Sequence, residues 1–220
     1  MSLPSLTPVP ASPRASSVAA IVLAGGRGSR LGQSKPLADI GGEPLLRRPL
    51  TAVARFPAVV VGPDELAATV GEWPRATLTR EIPAFGGPVA GIAAGLDRLR
   101  TFAPSADWVL VLACDLPRAP EAVETLLESV PVLTAAESGA CLMVDSRPQW
   151  LCGVYRASAL RAAAETQRSS GGLDAAAVRT LLGPLTLRPI EGHSDEAFDI
   201  DTPDDLRKAH ERTPDDERPR

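Results

Sequence analysis

The 220-residue sequence has no excess of basic side chains: 23 Lys and Arg stand against 27 Asp and Glu, for a net charge of −4. A surface that grips a phosphate backbone is strongly basic. The chain therefore reads as binding no nucleic acid, and any anionic small ligand has to be held by a few placed groups. Long hydrophobic runs are also missing. A membrane-spanning helix takes about 18 or more apolar residues, whereas the longest apolar runs, 18–24 and 108–114, are the size of strands. A secretory leader centred on 18–24 is opposed by the Pro/Ser-rich stretch before it and by Arg27, Arg30 and Lys35 after it. Cysteine is scarce. Cys114, Cys141 and Cys152 are odd in number, lack C-x-x-C spacing and sit in apolar runs, as reduced core residues of a cytoplasmic protein do. The only histidines are His193 and His210, and there is neither a G-x-S-x-G elbow nor a Cys-His arrangement, which fits chemistry that needs no strong general base.

What remains is the composition of an ordinary globular protein, 44% hydrophobic and 23% charged. At about 150 residues per domain, its length favours one domain with tails. Residues 1–17 carry four prolines and five serines without periodicity and read as a disordered tail. A folded domain is expected over 18–210, with a polar C-terminal tail at 211–220. Within it, strand-length apolar runs at 18–24, 58–61, 76–79, 108–113, 132–135, 141–144, 151–155 and 185–189 alternate with helix-period segments. Val89, Ile92, Leu96 and Leu99 mark one helix face; Val123, Leu126, Leu127 and Val130 mark another. Further helices are predicted at 44–55, 64–70, 158–166 and 203–210. This alternation predicts an α/β fold: a single doubly wound, mostly parallel sheet flanked by helices.

The first strand runs into Leu23-Ala24-Gly25-Gly26-Arg27-Gly28-Ser29-Arg30-Leu31-Gly32-Gln33-Ser34-Lys35-Pro36. In a parallel sheet this turn lies at the carboxyl ends of the strands, where ligands bind. Glycines there permit sharp turns and present N–H groups to an anion, while Arg30 and Lys35 add positive charge on a solvated loop. A Walker A loop does not fit, because Gly26 to Gly32 is one residue too long and Ser34 precedes Lys35. A dinucleotide fingerprint fails at Leu31. A merely structural glycine turn would leave Lys35 unexplained, although it is one of only two lysines in the chain. Gly87-Pro88 before a helix reads either as ordinary capping or as a dipole aimed at a ligand. Asp115 ends an apolar strand and reads as a metal ligand in preference to a helix cap. Asp199 and Asp201 flank Ile200, so on an extended segment both carboxylates share one face.

Leu-Ala-Gly-Gly with Arg30, Gly32 and Lys35-Pro36 resembles the signature of the Rossmann-like nucleotidyltransferases, and within them the MobA-type molybdenum cofactor guanylyltransferase family. Three later segments agree in order and spacing: Gly87-Pro88-Val89-Ala90-Gly91-Ile92, Ala113-Cys114-Asp115-Leu116-Pro117, and 198–206 with Thr202-Pro203. The resemblance implies transfer of GMP from GTP to the terminal phosphate of molybdopterin, with release of pyrophosphate. It also implies molybdoenzyme-maturation proteins as partners. Leu23, Ala24, Gly25, Gly26, Lys35, Gly62, Glu81, Gly87, Pro88 and Asp115 would bind the nucleotide. Arg30, Lys35 and Asp115 would carry catalysis, with Mg2+ on Asp115 and Asp201. The sequence departs from the family where Asp199 and Asp201 replace two asparagines, where Arg80-Glu81-Ile82-Pro83 supplies the acid that contacts guanine, and where Gly62 replaces an asparagine. Rival readings are a cytidylyltransferase for the same cofactor, transfer to a sugar phosphate or phospholactate, and a non-catalytic nucleotide-binding module.

Overall fold

The computed structural model describes residues 18–26, 34–40, 42–116 and 118–192. The expected tails at 1–17 and 211–220, the helix at 203–210, and the side chains of Arg30, Asp199 and Asp201 lie outside that set.

Among the described residues, nine strands and six helices follow one another along the chain. The strands are β1 (Val18–Leu23), β2 (Asp39–Ile40), β3 (Glu43–Pro44), β4 (Ala58–Val61), β5 (Ala76–Thr79), β6 (Trp108–Ala113), β7 (Gly139–Val144), β8 (Arg147–Arg156) and β9 (Leu187–Glu191). The helices are α1 (Arg47–Ala52), α2 (Ala67–Gly71), α3 (Gly87–Phe102), α4 (Ala119–Ser129), α5 (Ala157–Ser170) and α6 (Val178–Leu182). Seven strands form one sheet in the order β5-β4-β1-β6-β8-β7-β9, while β2 and β3 make a small separate ribbon. Only β8 runs against its neighbours; the pairs β4–β5, β1–β4, β1–β6 and β7–β9 are all parallel.

Alternation along β1 shows how the sheet is covered. Val18, Ala20, Val22 and Ala24 enter one core with Leu50 of α1, Val70 of α2, and Val123 and Leu126 of α4. Ala19, Ile21 and Leu23 enter the other, with Val89, Ile92, Leu96 and Leu99 of α3, Leu160 of α5 and Leu182 of α6. A strand buried on both faces has to be apolar throughout, as β1 is. Among the described residues, no helix is long and apolar enough to cross a membrane.

The order of winding fixes where a ligand can bind. From β1 the chain moves outward to β4 and β5, then crosses on α3 to β6 on the other side. This reversal between β1 and β6 is a topological switch point, and a crevice opens outside the carboxyl ends of those strands.

Several expected boundaries move. The expected strand at 132–135 is not one: a 3-10 turn, Val130–Val132, extends α4, and the strand begins at Gly139. A hairpin then joins β7 to β8 through Asp145 and Ser146, which have φ of 48° and 60°. Two consecutive left-handed residues make the tight turn whose twist suits paired strands. The helix expected from 44 begins at Arg47, because Pro44 belongs to the ribbon. The short helix α6 was not foreseen. Cys114, Cys141 and Cys152 form no disulfide and are buried, as expected.

Candidate active site

The crevice is built from strand ends. Beyond Leu23 the Ala24 N–H still bonds the Val61 carbonyl at 2.8 Å, and the Cys114 N–H bonds the Leu23 carbonyl at 3.0 Å, which ties together the ends of β4, β1 and β6. Gly25 and Gly26 then emerge exposed. A β-carbon on Gly25 would lie 3.6 Å from Glu81 Oε1 and 3.8 Å from the Val61 carbonyl, so the Glu81 carboxylate stands directly beside the glycine turn.

Glu81 is only 7% exposed, and its Oε1 accepts the Phe85 N–H at 3.0 Å. That bond closes the loop between β5 and α3, in which Phe85 takes φ 64° and Ile82 projects into solvent. Gly62 is pressed from two sides: a β-carbon there would sit 3.0 Å from the Ala24 carbonyl and 2.8 Å from Leu66 Cδ1.

Gly87 and Pro88 open the 16-residue helix α3, with Gly87 at φ 85°, a conformation costly for any residue with a β-carbon. The first turns of α3 lie over the ends of β1 and β4: a β-carbon on Gly91 would be 3.1 Å from Leu23 and 3.8 Å from Val61. The connection between α5 and α6 docks on the same helix start, where the Ala175 N–H bonds the Gly86 carbonyl at 2.8 Å. Nothing in the sequence signalled that docking.

Lys35 and Asp115 meet at the switch point. Lys35 Nζ lies 2.5 Å from Asp115 Oδ2, and their side chains are 19% and 13% exposed. Lys35 occupies a 3-10 turn, Lys35–Leu37, and is largely covered, which corrects the expectation that it lies on a solvated loop. Next to Asp115, burial lifts the Cys114 thiol well above its ordinary pKa and the Asp115 charge adds to the rise, against a lowering by Lys35. It is an inert thiol rather than a nucleophile.

On the far side of Asp115 a cleft of about 250 Å³ opens between the end of β6 and β8, walled by Leu116, Gln149, Trp150, Leu151 and Val178. Trp150 is thus pocket wall and Tyr155 is core. The site therefore has two compartments. Ala24, Gly25, Gly62, Glu81, Gly87 and Pro88 lie on the β1/β4/β5 side, the cleft lies on the β8 side, and the Lys35–Asp115 pair stands between them. Among the described residues, no three His, Cys, Asp or Glu side chains converge as a metal cage. Asp115 alone could give a carboxylate oxygen to a cation shared with a ligand's phosphates, the usual setting for Mg2+.

Comparison with known proteins finds relatives over most of the chain. The profile of the MobA-like NTP transferase domain matches residues 20–184. A probable molybdenum cofactor guanylyltransferase of Trichormus variabilis is 36% identical over 148 residues, 62% of this chain and 65% of that one. The chain thus matches just under two thirds of that relative's length. The molybdenum cofactor guanylyltransferase of Rhodobacter capsulatus is 32% identical over 196 residues, 89% of this chain and 96% of its own. The crystal structure of molybdopterin-guanine dinucleotide biosynthesis protein A from Archaeoglobus fulgidus superposes with a TM-score of 0.65 at 26% identity, covering 88% of this chain and 97% of that one.

Proposed function

The chain belongs to the MobA-like NTP transferase domain family, and on that premise we propose that it transfers GMP from GTP to the terminal phosphate of molybdopterin, releasing pyrophosphate. The observation that carries the reading is the Lys35–Asp115 pair, set between a glycine-lined crevice and a separate cleft. A nucleotide on one side and a phosphorylated acceptor on the other would bring their phosphates together at that pair.

The acceptor phosphate requires little activation. A phosphate monoester is largely dianionic near neutral pH, with a second pKa of about 6. No general base is called for, and the site's work is positioning and charge neutralisation in an in-line displacement. The N–H groups of Gly25 and Gly26 would cradle the phosphates. Lys35 would exchange its bond to Asp115 for the triphosphate and hold the departing pyrophosphate. Arg30, on the same loop, would share that charge. Asp115 would hold Mg2+ together with the phosphates, with Asp201 as the second ligand; when bound, the ion neutralises charge on the α-phosphate. Glu81, with one oxygen spent on Phe85, keeps acceptor capacity for the adjacent N1–H and N2–H donors of guanine. Cytosine offers one exocyclic amine there, which makes Glu81 a reason to favour GTP.

The test is incubation of the purified chain with Mg2+, molybdopterin and each of GTP, CTP, ATP and UTP, followed by detection of pyrophosphate and of the nucleotidylated pterin. GTP should dominate in direct competition. Preference for CTP, or pyrophosphate release without a pterin product, would overturn the assignment.

A further inference from the structure

The β7–β8 pairing is broken at one place, and that place faces the cleft. Cys141 pairs with Gly153, yet the next residue, Leu142, pairs with Gln149. Trp150, Leu151 and Cys152 are therefore extra residues on β8 without a β7 partner, although Cys152 still pairs with Leu112 of β6. Bulges of this kind re-aim side chains and are common beside active sites. All three extra residues line the cleft next to Asp115.

One buried side chain holds the bulge. The Tyr155 hydroxyl donates to the Trp150 carbonyl at 2.6 Å, and Tyr155 is fully buried. Five residues of regular strand span about 17 Å, further than a phenol reaches; the bond forms only because the chain folds back on itself at the bulge. Gly153 leaves room for the ring, since a β-carbon there would lie 2.6 Å from the Tyr155 hydroxyl and 2.8 Å from ring carbons. Burial keeps the phenol protonated, with its pKa well above the ordinary value, so the donor persists over the working pH range. Tyr155 sits in the core beneath α3, α5 and α6 and does not itself line the cleft.

We propose that Tyr155 is a positioning residue: its hydroxyl fixes the Trp150–Leu151–Cys152 bulge as the wall against which the acceptor seats, without acting on the nucleotide. This inference rests on the functional reading above for the identity of the acceptor. It predicts a split between the two substrates. A structural core residue would move both together or neither.

The experiment uses Tyr155→Phe, which keeps the ring and removes only the donor, and Gly153→Ala, which keeps the hydroxyl and displaces the ring. In Tyr155→Phe the KM for molybdopterin should rise roughly five- to tenfold, the size of one lost hydrogen bond. The Kd for GTP should stay within about twofold of wild type, a change too small to represent a lost contact. Gly153→Ala should reproduce the split. Hydrogen exchange of the backbone amides 149–152 in the ligand-free chain should be faster in both variants, and this readout needs no acceptor. Unchanged exchange, equal changes toward both substrates, or a fall in kcat with neither KM moved would overturn the proposal. A wild-type chain that exchanges as expected but forms no product with molybdopterin would instead overturn the functional reading and the acceptor half of this one, while the exchange data would still support the clamp.

Discussion

Gly95 sits in the middle of α3, where two opposing effects can be weighed. By helix propensity alone Gly95→Ala should stabilise the chain by about 1 kcal/mol. The packing argues the other way: a β-carbon at 95 would lie 2.8, 2.9 and 3.0 Å from Ile21 Cγ2, Cδ1 and Cγ1. Ile21 is fully buried in the central strand, and because both of its branches approach, rotation about χ1 replaces one clash with another. Overpacking of a closed core costs about 1–3 kcal/mol, and this contact belongs at the upper end. The expected balance is a loss of about 2 kcal/mol, or a fall in Tm of roughly 4–8 °C for a chain of this size. Thermal unfolding followed by circular dichroism measures it. Ile21→Val, which removes Cδ1, costs about 0.5–1.5 kcal/mol by itself. The double variant should lose less than the sum of the two singles, with a coupling of about 1 kcal/mol. A Tm for Gly95→Ala equal to or above wild type would show that Ile21 yields without cost, and would refute the claim that contact with β1 fixes how deeply α3 sits over the strand ends.

Three further outcomes are expected. Lys35→Ala should weaken GTP binding by roughly 10- to 100-fold, the weight of a charge-assisted contact, and nearly abolish turnover; wild-type turnover would remove Lys35 from the phosphate site. Asp115→Asn should abolish activity, whereas Asp201→Asn should retain much of it with a raised Mg2+ requirement, read from the rate of pyrophosphate release across a Mg2+ titration; an unchanged requirement would leave Asp115 in place and remove Asp201 from the metal. At the opposite end of the sheet, the fork of two 2.8 Å bonds from Arg188, seconded by the Thr134 N–H, holds the Glu137 carboxyl down to about 2. A depressed folded pKa adds stability above the unfolded value and loses it as pH falls toward 2. The Tm gap between wild type and Glu137→Gln should therefore be widest at neutral pH and close in acid; a constant gap would show that the pair does not titrate with folding.

The sequence disclosed the strands best where physics leaves little choice. The runs at 58–61 and 108–113 coincide with β4 and β6, because a short apolar segment bounded by turn residues and buried on both faces has few other conformations, while 76–79 coincides with the half-buried edge strand β5. The failure at 132–135 has the converse cause. Val132 and Leu133 have strand propensity, but Pro131 sits within a turn that continues α4. The true strand opens on Gly139-Ala140, which carry no β signal, and Gly139 is required because a β-carbon would meet the Val154 carbonyl at 2.2 Å. Tertiary crowding chose that glycine, and no local pattern reveals it. The site divides likewise. Asp115 was legible as an isolated charge at the end of an apolar strand, and Lys35 as one of only two lysines in the chain. The cleft wall was not, since Trp150 to Cys152 face it only through a register shift between β7 and β8.

The registers also explain why residues so far apart in sequence act at one edge. Leu23 pairs with Val61 and with Ala113, and Val61 pairs with Thr79, so these four residues form one row across β5, β4, β1 and β6. Gly25, Glu81 and Asp115 each lie two residues past that row. Adjacent strands are about 4.8 Å apart, so the ends of β5 and β6 stand about 14 Å apart, and the Glu81 carboxylate reaches back over the end of β4 to lie 3.6 Å from where a β-carbon on Gly25 would be. On the proposed reading, a nucleotide would lie along this edge with its base toward Glu81 and its phosphates toward Asp115. Parallel pairing holds the strand ends level, and the short segments just beyond them carry Gly25, Glu81 and Asp115.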